Sequence, residues 1–272
     1  MTELSNNVLP TLFISHGSPM LAIQDSPARR FLQGLGDSLP RPRAIVLVSA
    51  HWETRGGPAV SLVQQPQTIH DFGGFPQALF DIDYPAPGAP DVAERAAALL
   101  EQAGIAVGRS ATRGLDHGAW VPLRLMYPQA DVPVTQISIV HGASPALHVK
   151  LGQALRRLRE EGVLVIGSGS LTHNLYEFRG QAVDAPAPGW VGDFEVWMRE
   201  KIELNDHAAL LDYRKLAPSA ERNHPTEEHL LPLYVAMGAA AATEGGGMPA
   251  KAQLLHSSIE HGVLAMDAYA FN

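Results

Sequence analysis

The chain of 272 residues carries 12 histidines and no cysteine. Any borderline metal it holds must therefore be held by imidazole and carboxylate. Several histidines stand where short apolar runs end. His16 follows the run 8–15, His51 follows Ala44-Ile45-Val46-Leu47-Val48-Ser49, and His141 follows the run 134–140. His173 comes after Gly167-Ser168-Gly169-Ser170, behind the run 163–166. Imidazole is the commonest metal ligand, and its ordinary pKa makes it a base near neutrality. His16 and His51 read as site residues because each sits at the same topological place, followed by Gly17 or Trp52. His141 reads as an ordinary loop histidine.

Further along, Thr226-Glu227-Glu228-His229 opens an expected helix over 226–242, with Thr226 as its N-cap and two acids suiting its dipole. A histidine there runs against the dipole, an objection that a neutral, metal-bound imidazole removes. His229 is thus a candidate ligand, with Glu228 behind it. Two loops add polar groups beside glycines: His70-Asp71-Phe72-Gly73-Gly74-Phe75-Pro76 and Gly114-Leu115-Asp116-His117-Gly118-Ala119-Trp120. Each reads either as a self-satisfied turn, with Asp116 as an N-cap, or as a substrate-lining loop with His117 as an acid, a base or a donor.

These side chains need elements to carry them. Apolar runs of four to eight residues bounded by Gly and Ser fit buried strands of a largely parallel sheet. Helical patterns lie between them at 91–103, 144–161, 190–204 and 226–242. The end, 253–271, reads as two strands around Glu260-His261-Gly262 that close the sheet antiparallel. The stretch 244–249, with Gly245-Gly246-Gly247, is the most flexible-looking and lies too near the end to divide domains. At about 150 residues per domain the length allows one large domain or two small ones. No linker or repeat divides it, so the expectation is one catalytic α/β domain over 1–272. It has a mostly parallel or mixed central sheet flanked by helices, with its metal site at the carboxyl ends of the strands.

Composition excludes other classes. Lys+Arg 20 against Asp+Glu 28 gives a net charge of −8 without a basic block, against nucleic-acid or anionic-membrane binding. No apolar run reaches transmembrane length, and the first ten residues lack the pattern of a secretory signal. A cytoplasmic protein is expected.

The pieces in this order resemble the class III extradiol ring-cleavage dioxygenases, like the β-subunit of protocatechuate 4,5-dioxygenase, and within them the DOPA 4,5-dioxygenase subgroup. The resemblance runs from about Leu12 to Met266. It rests on Ser15-His16-Gly17-Ser18-Pro19, Ser49-Ala50-His51-Trp52, the two loops above, Tyr84-Pro85-Ala86-Pro87-Gly88, Gly167-Ser168-Gly169 with His173-Asn174-Leu175, and Glu228-His229-Leu230-Leu231-Pro232-Leu233. Any one is weak, and all in order are specific.

The resemblance implies a metal held by His16, His51 and His229. It implies His173 as base or as a further ligand, and His117 beside the substrate oxygens. The wider class binds non-haem Fe(II) through two His and one Glu, whereas the subgroup pattern points to His229 rather than Glu228. Three histidines with an open position also form a catalytic zinc site. Fe(II) is thus the cofactor for activity and Zn(II) an alternative bound metal, with a zinc hydrolase as the competing function. The implied partners are a small aromatic diol and O2, and the implied product is a semialdehyde. Phe72, Phe75, Trp52 and Trp120 read either as core residues or as an apolar wall around the ring, and Arg113 is a guess for a cation facing a substrate carboxylate.

Overall fold

The computed structural model describes residues 8–240 and 251–272. The expected flexible stretch 244–249 and the last residues of the helix expected over 226–242 lie outside these. In chain order the first half is β1 (Thr11–Ser15), α1 (Pro27–Leu35), β2 (Ala44–Thr54), β3 (Ala59–Ser61), α2 (Gln77–Phe80), α3 (Pro90–Gln102), β4 (Gly108–Ser110) and α4 (His117–Met126). There follow β5 (Val134–Val140), α5 (Pro145–Leu155), α6 (Arg157–Glu160), β6 (Val163–Gly169) and α7 (Gly189–Glu203). Next come α8 (His207–Leu211), α9 (Tyr213–Leu216), α10 (Ala220–Asn223) and α11 (Leu231–Ala239). The chain closes with β7 (Ala252–His256), β8 (Ile259–Glu260), β9 (Leu264–Ala265) and β10 (Ala268–Phe271).

Eight strands form one mixed sheet in the order β4-β3-β5-β2-β6-β1-β10-β7. Its centre, β5-β2-β6-β1, is parallel, and β10 and β7 close one side antiparallel. The central strands are apolar on both faces because both are covered. Ile45, Leu47, Leu164 and Ile166 pack into one layer with Leu32 of α1 and Leu123 of α4. Val46, Val48 and Val165 pack into the other with Ala96 of α3, Leu151 of α5 and Val235 of α11. The expected α/β architecture is therefore present. Among the described residues no helix is long and apolar enough to cross a membrane.

Three local expectations change. The helix expected from Thr226 begins at Leu231, with proline in its first turn. The hydroxyl of Thr226 donates to Glu228 Oε1 instead of capping backbone, so residues 225–230 form a turn that delivers His229 ahead of the helix. The helix expected over 144–161 divides into α5 and α6. The two strands expected over 253–271 are four: β7 and β10 join the main sheet, while β8 and β9 make a small ribbon around Glu260-His261-Gly262.

Candidate metal centre

His16 leaves the end of β1 and His51 lies within β2, yet β6 runs between those strands. The β2–β5 register shifts between Ser49 and Glu53, so Ala50, His51 and Trp52 sit in an irregular stretch. Such bulges re-aim side chains beside active sites. Here the two imidazoles meet across the end of β6, with His16 Nε2 3.0 Å from His51 Nε2. Gly118 allows it: a Cβ there would lie 2.6 Å from Ser49 Oγ and 3.1 Å from His16 Cε1. His229 arrives from the other layer, and Gly169 makes room for it, since a Cβ there would lie 2.0 Å from the His229 carbonyl oxygen. One nitrogen each of His16, His51 and His229 falls within 4.8 Å of the others.

The hydrogen bonds settle which nitrogen faces inward. Ser168 Oγ donates to the Gly118 carbonyl, so it accepts from His16 Nδ1 at 3.0 Å. Glu228 Oε1 lies 3.0 Å from His229 Nδ1 and can only accept. Both rings therefore carry their proton on Nδ1 and present a bare Nε2. His229 Nε2 is buried without a hydrogen-bond partner. Burial, reinforced by the neighbouring imidazoles, holds His16 and His229 well below the ordinary histidine pKa. It pushes His51 down to about 4. His51 Nε2 lies within donating distance of His16 Nε2, but the buried His229 Nε2 has no partner, a cost that a cation among the three would remove. The donor set thus fits a metal, and its borderline-soft nitrogen character suits iron or zinc.

Around this triad stand the acid–base candidates. His117 opens α4, and its ring centroid is 4.0 Å from that of His51. Asp71 holds it twice, accepting from the His117 backbone N–H at 3.0 Å and from Nδ1 at 2.9 Å. Hydrogen bonds from His117 outweigh the desolvation of Asp71 and bring its pKa to about 2. Asp116 occupies the N-cap position of α4 but makes no cap. Its buried carboxylate instead accepts from Ser49 Oγ at 2.6 Å, from Gln136 Nε2 at 2.8 Å, and from Arg113. His173 stacks on His229 with ring centroids 3.4 Å apart, and burial pushes its pKa down to about 3. Its nitrogen groups with His229 and Glu228 rather than with His16 and His51.

A cavity of about 490 Å³ opens onto His51, His117, His173 and His229. Phe72 and Phe75 line it as expected. Trp120 does not: it is fully buried, with its indole N–H on the Ile69 carbonyl. Trp52 is also off the cavity, lying under the Arg113 guanidinium at 5.3 Å. Arg113 does not line the cavity, and its Nη2 donates to Asp116 and to the His51 carbonyl. His70 bonds the Ile82 carbonyl and braces its own loop. His141, exposed at the end of β5, pairs with Glu53 at 3.2 Å, away from the cluster. Sequence reasoning missed Leu175, Phe178 and His261 as lining residues, and the partner that holds His117. Asp71 was visible only as an acid in a glycine loop.

The chain is similar to several known proteins. The family described as the catalytic LigB subunit of aromatic ring-opening dioxygenase matches residues 10–262. A 4,5-DOPA dioxygenase extradiol of Beta vulgaris is 43% identical over 270 residues, covering 98% of this chain and 97% of that protein. One of Escherichia coli K12 is 39% identical, covering 97% and 94%. The crystal structure of an uncharacterized protein from Escherichia coli K12 superposes with a TM-score of 0.79 at 34% identity, over 97% of this chain and 100% of the other.

Proposed function

This chain belongs to the LigB family of aromatic ring-opening dioxygenases and is an extradiol enzyme, and we propose that its substrates are DOPA-like catechols, opened with O2 to a semialdehyde. We propose further that the whole chain works as one catalytic unit, with His16, His51 and His229 as ligands of ferrous iron. The observation that carries this is the buried, unpartnered His229 Nε2 beside the facing Nε2 atoms of His16 and His51. Iron there would supply the redox chemistry that lets electrons pass from the ring to O2, which zinc on the same donors cannot supply.

The rest is the work of the chain itself. His173 lines the cavity and burial keeps it neutral, so a ring nitrogen has a lone pair to take the proton of a catechol hydroxyl as general base. Its stacking on His229 fixes the ring plane and argues for base over ligand. Asp71 keeps the His117 proton on Nδ1 and turns Nε2 toward the cavity. When protonated, that Nε2 would donate to oxygen as negative charge develops. Phe72 and Phe75 give the aromatic ring an apolar seat and exclude water. Both atoms of O2 end in the opened product.

The test is O2 uptake by apoprotein reloaded anaerobically with Fe(II), against a panel of catechols. Uptake is expected with iron and none with zinc. No uptake with any catechol, together with zinc-dependent cleavage of an ester or amide, would overturn the proposal in favour of a zinc hydrolase.

A further inference from the structure

We propose that His261 is a specificity-determining residue, whose Nε2 receives the hydrogen-bond-donating end of a catechol's side chain, an ammonium in preference to a carboxylate. This deepens the catechol reading above and rests on it.

His261 lies at the turn between β8 and β9 with φ +53, the left-handed region that non-glycine residues seldom occupy. Backbone strain of this kind persists where the surroundings impose it, and it gathers at ligand sites. Here the surroundings are one loop. The His261 backbone N–H donates to the Val183 carbonyl at 2.9 Å. Its Nδ1 lies 2.9 Å from the Gln181 carbonyl, and Phe178 meets the ring edge-on. A carbonyl only accepts, so Nδ1 carries the proton. With Nδ1 engaged in donating, Nε2 is the ring's remaining polar atom and in this tautomer an acceptor. The residue is half-buried and lines the cavity.

The rest of the wall says which group that acceptor would meet. Among the described residues lining the cavity there is no lysine or arginine, and the one carboxylate is Asp71. A carboxylate on the catechol ring would enter a largely apolar pocket with no cation to pair it, at a high desolvation cost. The nearby arginine that sequence offered, Arg113, is held by Asp116. An ammonium or hydroxyl on a short alkyl stem meets the opposite situation. Leu175 and Phe178 cover the methylenes, and His261 Nε2 accepts from the polar end.

The experiment uses iron-loaded protein and three probes: 4-(2-aminoethyl)catechol, 4-methylcatechol and 3,4-dihydroxybenzoate. Steady-state kinetics give KM and kcat, and calorimetric titration without O2 gives Kd. Wild type should bind the aminoethyl compound tightest and the benzoate weakest. His261→Ala should lower the preference for aminoethyl over methyl catechol about tenfold, the order expected for one hydrogen bond to a charged group, and in KM and Kd rather than in kcat. His261→Asn tolerates positive φ but is too short to reach, so it should show the same loss without disturbing the turn. Equal losses for both tails, no loss, or tighter wild-type binding of the benzoate would overturn the proposal. If no catechol is turned over, the substrate reading falls while the ratio of Kd values still decides the role of His261.

Discussion

Two buried polar clusters meet at the carboxyl end of β2, and they treat their polar atoms in opposite ways. On one side Asp116 has both carboxylate oxygens met by donors, from Ser49, Arg113 and Gln136. On the other, the imidazoles of His16, His51 and His229 converge with too few protons to satisfy one another, and one nitrogen has no partner at all. A buried carboxylate met on both oxygens holds a shape, even though Arg113 Nε and Gln136 Oε1 beside it lack partners, whereas converging ring nitrogens short of protons wait for a ligand. Ser49 joins them, since its hydroxyl donates to Asp116 and accepts from the His51 backbone N–H.

The contrast breaks most readily at the proposed ligands. His16→Ala, His51→Ala or His229→Ala should each reduce ring opening to background and abolish retention of the metal, as read by O2 uptake and by metal content after gel filtration. Next in size, His173→Ala and His117→Ala should lose roughly 100- to 10,000-fold in kcat, the usual span for acid–base groups, with metal content unchanged. Loss of metal in His173→Ala would make it a ligand after all. Asp116→Ala should behave the other way, costing about 3–5 kcal/mol of stability in urea unfolding because it strands the Arg113 charge. If it removed metal without loss of stability, the Asp116 cluster would not be the scaffold it is taken for. Glu228→Gln tests an intermediate case and should weaken metal binding about 10- to 100-fold, since the carboxylate sets the tautomer of His229.

Acid gives the gentlest test. Burial depresses His51 to about 4 and His173 to about 3, with His16 and His229 also lowered. Above the ordinary histidine value of about 6.5 both folded and unfolded chains hold these rings neutral, and nothing is lost. Below it the unfolded chain takes up protons that the folded chain refuses, so apoprotein stability should fall as pH drops from about 6.5 toward 4. A flat pH profile across that window would mean that the rings are less buried than described.

Much of this was legible in the residues. His16 and His51 follow strands that are apolar without interruption, and a parallel sheet delivers the ends of such strands to one edge. His141 carries the same local signature and stays outside, because β5 ends beyond β2 and the order of strands is not written in any one of them. His229 was picked for a position in a helix, yet it stands on the turn before one. Proline at the start of α11 and the close approach to Gly169 put it there. Asp71 and His261 escaped because their roles depend on loop geometry: a carboxylate reaching a residue 46 positions away, and a backbone held at positive φ. Arg113 and Trp120 stayed open between wall and interior because a long cation or a large ring looks alike whether used inside the protein or turned toward a cavity.

The placing of β6 between the strands that carry His16 and His51 has a consequence for how the chain acquires its metal. The proposed ligands stand on non-neighbouring parallel strands, with a third beyond residue 200, and share no local segment that could grip an ion early. Pairings of such wide sequence separation form late and slowly. The ion should therefore board a finished fold as a passenger. A chelator should leave the refolding rate of the chain unchanged, and metal supplied during synthesis should rescue no variant that fails to close its sheet.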